Sequence, residues 1–262
     1  MRRRTFLERL GRFGVMSAAV DRVRAVPPAR RTPYYALQTY YLKNGTQLAR
    51  INEFMSQGLL PALNSFHTGP KLFLEALVAP HMPQFAVLLG LESLDYLAAM
   101  RERLGADEAF GKAFEAWEAA SEPPYEQFSQ VVLRTTAYSP EMATPAPRPA
   151  KPRIFEVRVY HSPTWRQLRA LHDRFAGPEI RIFHRSGVHP ILYSETIAGP
   201  NMPNLTYITP FDTLAAREKA WETFGADPEW IKVRKESIDR HGQISSVIQI
   251  ALYRATAYSP VQ

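Results

Sequence analysis

Arg158, Tyr160 and His161 stand within one short stretch, FEVRVYH, and Glu195, Arg254 and Tyr258 follow in later stretches of strand-like composition. An arginine presents a charged planar fork to a carboxylate or enolate, and a tyrosine hydroxyl can orient such a group. A glutamate or histidine beside it can move a proton. These six residues are the candidates for holding a small organic ligand: Arg254 or Arg158 binding an anionic group, Tyr160 or Tyr258 orienting it, and Glu195 or His161 exchanging the proton. The competing role is structural. Tyr40, Glu75, Arg134 and Tyr138 repeat the residue types of Tyr160, Glu195, Arg254 and Tyr258 at a constant offset of 120 positions. Polar strand residues present in two copies suit a problem both copies share, such as paired arginines and glutamates that fix how two sheets dock.

Other chemistries find little support. The chain has no cysteine, which excludes disulfides, thiolate metal ligands and a cysteine nucleophile. His161, His172, His184, His189 and His241 lie in the second half and His67 and His81 in the first, with none of the spacings of a metal-binding helix. His172 and Glu179 are separated by Gly177-Pro178, which is expected to break the helix between them. No metal and no cofactor is expected, and the histidines read as side chains satisfied by hydrogen bonds. Glycine-rich phosphate loops and serine elbows are also absent.

The net charge of +7 sits at one end. Residues 1–31 hold nine arginines against Glu8 and Asp21, so residues 32–262 carry 23 basic and 23 acidic side chains. A neutral body lacks the electrostatic footprint of nucleic-acid binding. Arg3-Arg4-Thr5-Phe6-Leu7 has the form of a twin-arginine export signal, ahead of the uncharged run Phe13 to Val20. Residues 1–31 are read as this signal or as a basic arm, which makes the protein either exported to the periplasm or cytoplasmic. No apolar run approaches the ~20 residues of a membrane-spanning helix.

Positioning the candidates requires strands, and the sequence writes each of them twice. RTTAYSP at Arg134 to Pro140 returns as RATAYSP at Arg254 to Pro260, and sliding the chain by 120 aligns 34–140 with 154–260 without a gap, 21 of 107 positions being identical. Chance matching is roughly 6%. Each half reads strand, helix, strand, strand, helix, strand, with the second helices over 93–120 and 213–240 and the first helix of the second half starting on Ser162-Pro163. The expected fold is α+β: two tandem ferredoxin-like βαββαβ units whose sheets cover each other as an intramolecular α/β barrel, a single-chain pseudo-dimer that could associate further. The domains are 34–140 and 154–260, joined by a Pro/Ala-rich linker at 141–153. In a 4-1-3-2 strand order the first and fourth strands adjoin, so Tyr160 and Arg254 are expected to converge, while Glu195 lies ~10 Å from the first strand. An accessible barrel cavity lined by Arg158, Tyr160 and Arg254 is the mark of a ligand site, and a filled barrel with an exposed apolar patch that of a docking protein.

Arg217, Trp221, Phe224 and Asp227-Pro228-Glu229-Trp230, with Phe155-Glu156-Val157-Arg158-Val159-Tyr160 upstream, resemble the signature and opening strand of the NIPSNAP family. The resemblance covers 154–260 well. It is weaker over 34–140, where Ala36-Leu37-Gln38-Thr39-Tyr40 lacks the Glu and Arg and no Trp follows Asp107. It implies a dimeric α/β-barrel fold and a tandem, bacterial-type member; bacterial members are mostly without an assigned reaction. The wider superfamily contains cofactor-free monooxygenases, isomerase-like enzymes and haem enzymes. The expected function is binding of a small organic ligand in the barrel; the alternatives are a cofactor-independent monooxygenase or isomerase-like enzyme, and a non-catalytic interaction scaffold.

Overall fold

In the computed structural model, residues 31–143 and 147–262 are described. The export-signal reading of residues 1–31 therefore falls almost wholly outside the described residues, as does the middle of the linker. The first half contains β1 (Tyr34–Tyr41), α1 (Gln47–Phe54), α2 (Leu60–Asn64), β2 (Lys71–Val78), β3 (Gln84–Leu91), α3 (Leu94–Ala106), α4 (Glu108–Glu118) and β4 (Gln127–Thr135). The second contains β5 (Ile154–His161), α5 (Trp165–Arg174), α6 (Ile180–Arg185), β6 (Leu192–Ala198), β7 (Asn204–Phe211), α7 (Leu214–Ala226), α8 (Pro228–His241) and β8 (Val247–Ala255). None of these helices is long and apolar enough to cross a membrane.

Two local expectations need correction. Helix α5 is capped by Thr164, whose hydroxyl accepts from Gln167 N, while the expected cap Ser162 is buried and donates to the Ile244 carbonyl. As expected, the helix kinks at Gly177-Pro178: Gly177 leaves helical angles (φ −85°, ψ −117°) within the π-helical stretch Phe175–Glu179, and α6 starts afresh at Ile180. The second helix of each half is two helices, because Asp107 and Asp227 adopt extended backbone and turn their carboxylates onto the first N–H groups of α4 and α8. The repeated Gly-Ala-Asp marks that boundary.

All eight strands pair antiparallel into one closed barrel in the order β1-β3-β2-β8-β5-β7-β6-β4. Each half contributes its strands in the order 4-1-3-2 and meets the other at two seams, β2–β8 and β4–β6. Alternate residues from every strand, among them Tyr35, Leu74, Leu88, Phe155, Ile208 and Tyr253, form one buried cluster that fills the barrel. Met142 and Val261 close it. The opposite faces of the strands pack under the helices in two further clusters, one per half.

The repeated heptapeptides run along the seams and grip the opposite half. At one seam Arg134 lies opposite Glu195, Thr136 N donates to the Tyr193 carbonyl, and Ser139 Oγ accepts from Tyr193 N. At the other, Arg254 lies opposite Glu75, Thr256 N donates to the Phe73 carbonyl, and Ser259 Oγ accepts from Phe73 N. Both serines are buried. Removing either hydroxyl strands a strand N–H that water cannot reach, so Ser139→Ala and Ser259→Ala should each lower stability by about 1–3 kcal/mol. Urea unfolding of the two variants checks this, and values near zero would show that the seams do not depend on these contacts.

Candidate functional site

The barrel interior is not the site. Glu156, Arg158 and Tyr160 share the outer face of β5, under the helices, and Phe155 and Val157 occupy the interior positions. The barrel cavity lined by Arg158, Tyr160 and Arg254 that would mark a ligand site is not formed, because Arg158 and Tyr160 lie on the outer face of β5 and apolar residues occupy the interior positions. Tyr160 and Arg254 do not converge either. Tyr160 pairs with Ile248 and Arg254 with Ile154, six residues apart along adjacent antiparallel strands, or ~20 Å. Arg254 is exposed at the β2–β8 seam. Tyr258 packs on the first half's helical cluster and donates to Asn52 Oδ1 at 2.9 Å. His161, at the far end of β5, bonds through Nδ1 to the Asn201 carbonyl at 3.0 Å.

Arg158, Tyr160 and Glu195 do share one layer. Register sets Tyr160, Leu205 and Glu195 in one row across β5, β7 and β6, and Arg158, Tyr207 and Tyr193 in the next. Two roles divide this layer. On the β5 side, the fully buried Glu156 carboxylate is gripped by Arg158 and Arg217 and accepts from Trp221 Nε1 at 3.0 Å, while the Arg158 guanidinium lies 3.6 Å from the centre of the Trp221 ring. A charge this deeply buried is tolerated only with such compensation. Asp227 caps α8 and binds Arg185, and Trp230 packs on Phe224, so these residues brace helices α7 and α8 to the sheet.

The centre of the layer is tyrosine-rich. Tyr160 accepts from Tyr207 at 2.8 Å and from Arg158 at 3.2 Å. Tyr193 is almost wholly buried, yet its hydroxyl has no hydrogen-bond partner among the described residues. Phe175, brought inward by the π turn, touches Tyr138, Tyr160, Tyr193 and Tyr207. Burial pushes the Tyr193, Tyr207 and Tyr138 phenols well above the ordinary value, so all are protonated at neutral pH.

On the β6 side a polar chain runs across the seam. Arg134 Nε donates to Glu195 Oε1 at 2.7 Å, Glu195 Oε2 lies 3.6 Å from His172 Nε2, and His172 Nδ1 is 2.7 Å from the Tyr138 hydroxyl. The Glu195 carboxylate facing Nε2 favours a hydrogen on that nitrogen, with Nδ1 accepting from the phenol; at 3.6 Å the Glu195 contact is an ion-pair separation rather than a hydrogen bond. Arg134 and Tyr138 come from the first half, His172 and Glu195 from the second. Arg134 is 58% exposed, His172 21% and Glu195 17%, so the chain opens to solvent at one end. The equivalent positions at the other seam make the same bridge with Asn52: Tyr258 donates to it and it donates to Glu75 at 2.8 Å. His172 is the candidate that selection by strand position passed over. Its signal is the Asn52/His172 difference under the 120-residue offset. Tyr193 and Tyr207 were passed over as ordinary strand aromatics.

A family model described as NIPSNAP matches residues 155–260. These residues are a NIPSNAP domain. Its match stops at the second half, and among curated proteins none matches the chain in sequence. Solved structures resemble the whole barrel. A Fusobacterium nucleatum protein provisionally named a monooxygenase aligns with a TM-score of 0.53 at 8% identity, over 85% of this chain and 92% of its own. An anthrone oxidase-like protein aligns at 0.52 and 12%, over 86% and 92%, and a Lactobacillus acidophilus protein, also provisionally named a monooxygenase, at 0.51 and 10%, over 85% and 93%. At these identities the likeness is one of fold: a mixed α/β chain closed into an eight-stranded antiparallel barrel. Within the NIPSNAP domain, the signature residues Arg217 and Trp221 converge on Glu156. Among the described residues, no group of three or more histidine or carboxylate side chains is arranged to hold a metal ion.

Burial holds the His172 imidazole below its ordinary value, although Glu195 pulls the other way. The folded protein therefore takes up this proton at a lower pH than the unfolded chain. Its contribution to stability is full above about 6.5 and is lost as pH falls through the lower folded value. His172→Asn, which copies residue 52, should remove that part of the pH dependence. Urea unfolding of both proteins from pH ~7.5 down to ~5 measures it; identical slopes would contradict the assignment.

Proposed function

We propose that the NIPSNAP domain binds a small organic compound against its tyrosine-rich layer and that Tyr138, His172 and Glu195 move a proton on it. One observation carries this reading: two equivalent seams make the same tyrosine–glutamate bridge, and only the second makes it with a side chain that can take up a proton. A scaffold needs only the amide of Asn52. Removal of a proton from carbon beside a carbonyl would place that proton on Tyr138 as the phenol's own proton passes to His172 Nδ1, the imidazolium being balanced by Glu195. Return of the proton to another atom of the enolate completes an isomerisation without a cofactor. The unpartnered Tyr193 hydroxyl supplies a donor for the enolate oxygen. Cofactor-independent monooxygenation begins with the same deprotonation and then consumes dioxygen; the names of the structures sharing the fold favour it by analogy only.

A docking role has its own support. Val247, Ile248 and Ile250 are exposed on the part of β8 that pairs only with β5, and this apolar edge together with the apolar barrel interior supports an interaction role. The constant offset and the matched seams support reading the barrel as two fused ferredoxin-like units, 34–140 and 154–260, with further homo-oligomers open to the exposed β8 edge. The Arg3-Arg4 motif supports export to the periplasm.

Phenylpyruvate, an aromatic compound with an enolisable carbonyl, separates these readings. Followed by proton NMR in deuterium oxide, the wild-type protein should speed exchange at its methylene over buffer, and Tyr138→Phe and His172→Asn should each lose ~10²-fold of that gain or more. Equal exchange with and without protein, or unchanged rates in both variants, would remove proton transfer at this site and leave the docking role.

A further inference from the structure

The first half holds a second cluster of titratable side chains that the relay does not involve. His67, at the end of α2, Lys71, at the start of β2, and Tyr96, in the first turn of α3, meet at one end of the helix–sheet layer. Lys71 is 8% exposed and His67 3%. The ammonium donates to the His67 carbonyl at 2.8 Å and forms no ion pair among the described residues. His67 Nδ1 lies 3.1 Å from the Tyr96 hydroxyl, while its Nε2 is buried without a hydrogen-bond partner among the described residues. The contact allows the phenol to donate to Nδ1, which puts the hydrogen of the neutral imidazole on Nε2. Two nitrogen donors, one of them cationic, are thus buried together with too few acceptors.

Such an arrangement costs free energy unless something answers it, because a buried cation without a counter-charge and a buried N–H without an acceptor are each unfavourable. The scaffold does not require it. Under the 120-residue offset the three positions are Gly187, Ile191 and Ala216, and the second half folds the same elements around those apolar or absent side chains. The loop passes close to both strand and ring: a Cβ on Gly69 would run into the Gly90 carbonyl and come within 2.8 Å of His67 Cε1, so glycine is needed there. At the rim Tyr96 feels Arg103 and Glu92, charges of opposite sign and both exposed, which leaves Lys71 as the unbalanced charge.

We propose that Lys71 and His67 form a binding site for a small oxyanion, a carboxylate or phosphate group, taken up by the Lys71 ammonium and the His67 Nε2–H with Tyr96 fixing the imidazole tautomer. This site is separate from the relay and stands or falls without it.

Inorganic phosphate and acetate, compared with chloride at matched ionic strength, are the probes. On the full chain near neutral pH, thermal unfolding should show a saturable rise in Tm with phosphate or acetate that chloride does not give. Lys71→Met, which keeps the stem and removes the charge, should lose that rise while staying folded in chloride. The His67 ring resonances of the wild-type protein should also move with the same saturation, a readout that needs no variant to fold. Burial and the nearby Lys71 hold this imidazole down to about 4, and a bound anion should raise it. Equal Tm values in the three salts, a rise that survives in Lys71→Met, or His67 resonances indifferent to both anions would each overturn the proposal; a difference between phosphate and acetate identifies which group the site prefers.

Discussion

The closure of the barrel at two seams is the constraint from which the rest follows. Two four-stranded sheets, each apolar on both faces, can be covered on one side by their own helices and on the other only by each other. The pairing of β4 with β6 and of β2 with β8 accomplishes this, and it removes part of each sheet edge, leaving the first halves of β4 and β8 paired on one side only. Seven residues carry the junction each time. A backbone pair, a buried serine and a tyrosine reach from one half onto the strand and first helix of the other, joined at one seam by the Arg134–Glu195 ion pair, so neither half presents a finished surface alone.

The two halves make the molecule a comparison with itself. Where they agree in their contacts, as in Ser139 and Ser259, the residue serves closure. Where they differ at a position that otherwise does the same task, the difference has no structural need behind it. His172 against Asn52 is one such place, and Lys71 with His67 against Ile191 with Gly187 is another. The Glu156 brace is a third: its counterpart Ala36 is a buried apolar residue, and the first half packs Phe54 face to face on Trp117 where the second uses charge. Both halves fold, so the burial of Glu156 with two arginines is one solution to helix–sheet docking rather than a requirement of the fold.

Alternation and turn chemistry made the strands, their faces and the repeat legible. Glu156, Arg158 and Tyr160 were placed together correctly for that reason. Register was not legible, because alternation is blind to sliding a strand by two residues, or by six, along its neighbour. That is why Tyr160 and Arg254 seemed to meet and do not. Which face is interior was equally undetermined, since both faces of a barrel strand under helices are apolar. The repeated Gly-Ala-Asp was visible but its role as a helix boundary depends on the extended backbone at Asp107 and Asp227. The contact of Tyr138 with His172 joins residues from different halves and follows from the seam alone.

The central claim is that His172 carries its hydrogen on Nε2 and accepts the Tyr138 proton at Nδ1. Nitrogen-15 NMR of the histidine ring in the full chain at neutral pH tests it directly. The account predicts a neutral ring with an unprotonated Nδ1 and a protonated Nε2, and loss of the Nδ1 hydrogen-bond shift in Tyr138→Phe. A protonated Nδ1, or a ring whose resonances ignore that substitution, would contradict it.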